Sequence, residues 1–104
     1  MDESVVKHLE QPTKTLKLSE AIRIGARMRP QCAGDFFLNG GSCALGAALE
    51  AFGIDPKDAK GFHYGNACDI LGITEGLAEH IAIRNDLRHW SRESIADWLE
   101  SIGY

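Results

Sequence analysis

The feature that most constrains this chain is a pair of short segments with apolar residues at helical spacing, each closed by a glycine. Leu45, Ala48, Leu49 and Phe52 recur at i, i+3, i+4 and i+7, and so do Ile95, Trp98, Leu99 and Ile102. That spacing lines one face of an α-helix, whereas a half-buried strand would alternate. Gly53 and Gly103 follow these segments, and glycine is the residue that best takes the left-handed turn after a helix. Isolated helices this short are marginal in water, so they must pack on one another. The expected fold class is therefore mainly α: a small single-domain bundle of four to five short helices, with one or two short strands.

Ser19 reads as the N-cap of a first helix, with Glu20 where the positive helix end favours an anion. Leu18, Ile22, Gly25 and Ala26 share its inner face, Arg23, Arg27 and Arg29 lie largely off it, and Pro30 ends it. Residues 31–41 form a glycine-rich loop whose centre, Phe36-Phe37-Leu38, is a short strand or a core plug. Asn39-Gly40 is a hairpin-turn signal, although its flanks lack clean alternation. A second helix occupies 42–52. Its Ala44, Gly46, Ala47 and Ala48 leave a face open to unusually close packing, within the chain or against a second copy.

Asp55-Pro56, Gly61 and Gly65 mark a connection over 54–65. A short helix over 66–71 closes at Gly72. Thr74 caps a fourth helix with Leu77, Ala78, Ile81 and Ala82 on its apolar face, fraying near Asn85. Ser91 caps the last helix, over 91–102. Residues 1–15, broken by Pro12, are an N-terminal arm, docked or flexible, outside a helical domain spanning 16–104.

At 104 residues the chain suits one domain. Its net charge of -4 is mild and spread along the chain, which argues against binding nucleic acid by neutralising phosphates. No run approaches the ~20 apolar residues of a membrane-spanning helix, so no membrane association is expected. The acidic start, Met1-Asp2-Glu3-Ser4, lacks the apolar stretch of a signal peptide. Cys32, Cys43 and Cys68 cannot all pair with one another. Free thiols in a cytoplasmic protein are the expectation.

Three places offer chemistry. Gly40-Gly41-Ser42-Cys43 sets Cys43 in the first turn of a helix, where a thiolate is stabilised. His63 or His80 as base and Gln31 as oxyanion donor would complete a thiol enzyme. The same glycine amides would cradle an anion, although the phosphate-loop lysine is absent. Against both stands the reading of Cys43 as a small buried apolar residue. For metal, Cys32, Cys43, Cys68, His8, His63, His80 and His89 are scattered, with no two cysteines at the close spacing of a structural zinc site. No metal and no cofactor is expected.

The third place is the corner at 85–92, Asn-Asp-Leu-Arg-His-Trp-Ser-Arg. As structure, Asn85 holds a left-handed turn and Trp90 staples against Ile95. As function, Asp86, Trp90 and Arg92 form an exposed recognition patch, since Trp and Arg dominate binding hot spots. The helices on either side resemble a helix-turn-helix, yet the second offers Glu93, Asp97 and Glu100 where a DNA reader needs basic side chains.

The blocks Leu18-Ser19-Glu20-Ala21-Ile22-Arg23, Pro30-Gln31, Ser42-Cys43-Ala44-Leu45-Gly46-Ala47-Ala48, Asn85-Asp86 and Trp90-Ser91-Arg92-Glu93-Ser94-Ile95-Ala96-Asp97-Trp98 resemble a family of small bacterial and phage-encoded proteins with no assigned activity. The resemblance covers most of 16–102 as dispersed blocks. Family members carry a C-x-x-C pair before the fourth helix and histidines flanking the Asn-Asp pair. Here Ile83 and Arg88 stand at the histidine positions and Cys68 alone remains. The resemblance thus implies that a metal site is lost or was never present. By analogy it implies a modulator of a host protein.

The expectation is a non-enzymatic protein-interaction module that binds a protein partner through a helical face or the 85–92 corner. A binder of small molecules or anions, or a thiol-dependent protein, using the loop at 40–43 is the alternative. A nucleic-acid binder is the second. The oligomeric state is left open.

Overall fold

The computed structural model describes residues 16–104, so the N-terminal arm expected over 1–15 lies outside the described residues. In chain order the elements are α1 (Leu18–Ala26), β1 (Phe37–Leu38), β2 (Gly41–Ser42), α2 (Ala44–Ala51), a 3₁₀ turn (Pro56–Ala59), α3 (Tyr64–Leu71), α4 (Glu75–Ala82), a π-helical turn (Ile83–Leu87) and α5 (Arg92–Ser101). This is the small, mainly helical domain with a couple of short strands that the periodicity predicts.

The bundle is built around α2, since every residue from Gly41 to Leu49 is buried. Its small side chains have a visible use. A β-carbon on Gly25 of α1 would overlap the backbone carbonyl of Ala47, and one on Gly46 would overlap that of Phe36. The small-residue face of α2 is therefore spent inside the chain on close contact with α1. Around this contact Ile22, Leu45, Leu49, Ile81, Ile95 and Leu99 are fully buried. Each contributes about 1.5–3 kcal/mol by leaving water.

Several boundaries differ from the sequence reading. Ser19 is not a cap. It lies one residue inside α1, buried, where both its amide and Oγ donate to the Tyr104 main-chain oxygen at 3.2 Å. Lys17 takes the cap position, and its N–H bonds Glu20 Oε1 at 3.1 Å. The helix stops at Ala26, before Pro30 can act. The second helix starts later than 42: Ser42 belongs to β2, and Cys43 is the cap of α2. The third helix starts at Tyr64, ahead of the expected 66.

Asn39-Gly40 does form a hairpin turn, with φ of 50° and 82°. Positive φ at both central residues matches the twist of the flanking strands. Pairing is antiparallel, Phe37 with Ser42 and Leu38 with Gly41. These two-residue strands are too short to show alternation. Finally, α4 does not fray near Asn85 but continues through Leu87 as a π turn, closed by Arg88 N–H donating to the Ile83 carbonyl at 3.0 Å.

Two of the three arginines placed off the inner face of the first helix, Arg23 and Arg29, are engaged within the chain. Arg23 reaches Glu93 at 2.8 Å, Asp97 at 2.6 Å and Glu100 at 3.0 Å, tying α1 to α5. Arg29 forms a two-pronged pair with Glu50, both bonds 2.8 Å. The acidic side chains of α5 thus gather on an arginine of the same chain.

Candidate functional site

The π turn organises the site. A π turn accommodates one residue more than an α turn and re-aims the side chains beside it. Here it sends Asn85 inward, where 2 % of its surface stays exposed. Asn85 Oδ1 accepts from Gln31 Nε2 at 2.8 Å and from the Ala44 N–H at 3.1 Å. Its Nδ2 donates to the Cys32 carbonyl at 2.9 Å and to Asp86 Oδ1 at 2.8 Å. Every hydrogen-bonding position of this amide is used. It ties the loop after α1, the start of α2 and the end of α4 into one junction. It also supplies a partner to one of the orphan amides at the start of α2.

That junction decides the 40–43 loop. Ser42 N–H donates to the Pro30 carbonyl at 2.9 Å and Cys43 N–H to the Phe36 carbonyl at 3.0 Å. Ala44 N–H goes to Asn85, and Gly46 N–H to Cys43 Sγ at 3.4 Å. These four amides are consumed internally and are not free to cradle an anion. Gln31 is likewise committed, donating to Asn85 and to the Trp90 carbonyl at 2.8 Å each, and is no oxyanion donor.

Cys43 is a buried cap rather than an activated nucleophile. Burial pushes its thiol up to about 12, against the pull of the Gly46 amide, and the charge of Asp86 adds to the rise. No histidine bonds to it among the described residues. His63 sits at the N-cap of α3, its N–H held by Asn66 Oδ1 at 3.0 Å, and His80 is exposed on α4.

Arg92 is not an exposed recognition residue. It is 7 % exposed. Its Nη1 donates to Ser42 Oγ at 2.8 Å and to the Ser42 carbonyl at 3.3 Å. Its Nη2 donates to the carbonyls of Arg29 at 2.9 Å and Ala26 at 3.4 Å. Burial lowers its pKa, as expected of a cation facing carbonyls and no carboxylate. Trp90 is half-buried, with the Arg84 guanidinium 5.2 Å from its ring centroid and 3.8 Å from that of Trp98. The left-handed residue of the corner is His89, φ 55°, rather than Asn85.

Asp86 separates from Trp90 and Arg92 and joins a different group. It stands on a cleft of about 470 Å³ lined by Gly34, Asp35, Phe36, Cys43, Leu45, Phe62, His63, Tyr64 and Ala82. The Phe36 and Tyr64 rings lie 6.2 Å apart, tilted by 48°. Among the described residues neither Asp35 nor Asp86 has an ion-pair partner. The negative field reaches its neighbours. Burial raises the Tyr64 phenol and Asp86 raises it further, and burial raises the Cys32 thiol with Asp35 and Asp86 adding to it.

Asp35, Phe62 and Tyr64 are not among the candidates that motif and spacing single out. Their one legible signal is the aromatic run Phe62-His63-Tyr64 between Gly61 and Gly65, which has no periodicity and reads as a connection. The cleft brings together loop 34–36, the start of α3 and the π turn, far apart along the chain. Among the described residues no group of three or more His, Cys, Asp or Glu is placed to hold a metal ion. No helix there is long and apolar enough to cross a membrane. Comparison with family models, with curated proteins and with solved structures finds no match in any of the three.

Proposed function

We propose that the chain is a non-enzymatic binding module that engages a protein partner through the cleft beside the π turn, with Asp86 at its centre. The observation that carries this reading is the cleft itself, about 470 Å³ of concave space walled by Phe36, Phe62 and Tyr64 and holding Asp35 and Asp86. Concave, mostly apolar sites with a few convergent polar groups are where binding concentrates. A rigid π turn on the end of α4 presents Asp86, and Asn85 fixes its orientation from behind. Leu87, 72 % exposed, follows Asp86 in the π turn.

Catalysis receives no comparable support. The thiol is capped and held protonated, and Gln31 has no free donor. Nucleic-acid binding by α5 is disfavoured because Glu93, Asp97 and Glu100 lie along it. In keeping with the resemblance of the sequence blocks, the module acts as a modulator of the protein it binds.

The test is affinity capture with the tagged full chain, run in parallel with Asp86→Asn and with Asp97→Asn on α5. A stoichiometric protein retained by the wild type and by Asp97→Asn but lost by Asp86→Asn is the expected result. A partner retained equally by Asp86→Asn would remove the cleft from the account.

A further inference from the structure

The cleft has a chemical bias. Two carboxylates, Asp35 and Asp86, stand on it, and no lysine or arginine is among its described lining residues. Asp86 is positioned rather than loose: Oδ1 accepts from Asn85 Nδ2 at 2.8 Å, and Oδ2 has no protein donor among the described residues. Three aromatic rings, of Phe36, Phe62 and Tyr64, complete the wall. Aromatic faces attract cations through their quadrupoles. Carboxylates make charge-assisted bonds to ammonium or guanidinium donors, and half-buried Asp86 is better shielded from water than exposed Asp35. An anion would meet two like charges here, and a neutral ligand would leave both carboxylates unpaired. Burial raises the Tyr64 phenol, and the charge of Asp86 adds to the rise.

We infer that the partner seats a basic side chain, lysine or arginine, in this cleft, with its charged head on Asp35 and Asp86 and its stem against Phe36, Phe62 and Tyr64. This inference rests on the cleft being the binding surface. A protein side chain is assigned rather than a free small cation because the cleft is, on that reading, the surface that meets a protein partner, and its apolar wall suits the stem that a free cation lacks.

The experiment is titration of the full chain, followed by the amide and aromatic NMR signals of Asp35, Tyr64 and Asp86. The probes are acetyl-Gly-Arg-Gly-amide, its lysine analogue, its citrulline analogue, and n-butylguanidinium. The arginine and lysine peptides are expected to shift these signals saturably, with Kd near a millimolar, roughly what so few atoms can supply. Asp86→Asn keeps an acceptor for Asn85 and is expected to weaken them about tenfold. Asp35→Asn, at an exposed position, is the second variant should the first fail to fold. Asp97→Asn leaves binding unchanged.

Equal binding of the citrulline peptide would overturn the charge assignment while leaving the cleft as the binding surface. Shifts from n-butylguanidinium without any from the peptides would overturn the side-chain assignment in favour of a free cation. No shift from any probe would overturn the inference outright. The functional reading would then still stand if a captured protein partner protects the cleft, and fall if it leaves the cleft uncovered.

Discussion

Asn85→Ala is the substitution that separates a built junction from a loose loop. The amide side chain serves four partners, and their fates on truncation differ. Gln31 is exposed and Asp86 half-buried, so both regain water at little cost. The Ala44 N–H is fully buried and the Cys32 carbonyl partly so, and each loses its Asn85 partner. A buried group left unpaired costs about 1–3 kcal/mol, so two give roughly 4 kcal/mol. Against a total near 5–15 kcal/mol for a domain of this size, that is a large fraction. The melting temperature should fall by on the order of 20 °C. Urea unfolding followed by the fluorescence of Trp90 and Trp98, with circular dichroism as a second probe, measures it. An unchanged m-value with a lower midpoint is expected. A loss under about 1 kcal/mol would show that water replaces the amide, and that Asn85 does not organise the site.

Three further outcomes follow from the packing and the buried groups. Gly25→Ala gains about 1 kcal/mol of helix propensity but drives a methyl into the Ala47 carbonyl, an overpacking cost of about 3 kcal/mol. A net loss near 2 kcal/mol by urea unfolding is expected, while Gly76→Ala, where a β-carbon would meet only Thr74 Oγ1 at 3.9 Å, stabilises. Arg92→Lys cannot span the acceptors on Ser42, Ala26 and Arg29 and should cost about 2 kcal/mol of stability without touching partner affinity. Because burial holds Cys43 protonated up to about 12 while an unfolded cysteine ionises near 9, its contribution is intact below pH 9 and is lost as pH rises towards 12. Cys43→Ser, which keeps a cap at α2, should flatten that decline in unfolding curves taken across the window.

The legible parts of this protein are those governed by local rules. Thr74 and Ser91 cap their helices as read, with Oγ accepting from Leu77 and Ser94 at 3.1 and 3.0 Å. The apolar faces of α2 and α5 follow from periodicity alone. The small residues of α2 announced a close neighbour, and Gly25 is its counterpart. What failed were the features set by distant partners. Ser19 looks like a cap, but Tyr104, at the far end of the sequence, claims its hydroxyl. Arg92 looks like a surface hot spot, but carbonyls from α1 and the loop after it surround its guanidinium. Cys43 gained burial and a cap role that oppose the thiolate its helix-start position implied. Of the recognition patch, Asp86 alone reaches the cleft. Its companions there, Asp35 and Phe62 in irregular segments and Tyr64 at the first position of α3, carry no periodic signature, so only the folded chain brings them together.

Whether the partner covers the cleft is read most directly by hydrogen exchange on the full chain, alone and with its captured partner bound. The partner is expected to slow exchange at amides of 34–36, 62–64 and 83–88, around the cleft and the π turn, and to leave the Arg23-facing side of α5 unchanged. Protection confined to α5 or α1, with the cleft exchanging as in the free chain, would contradict it.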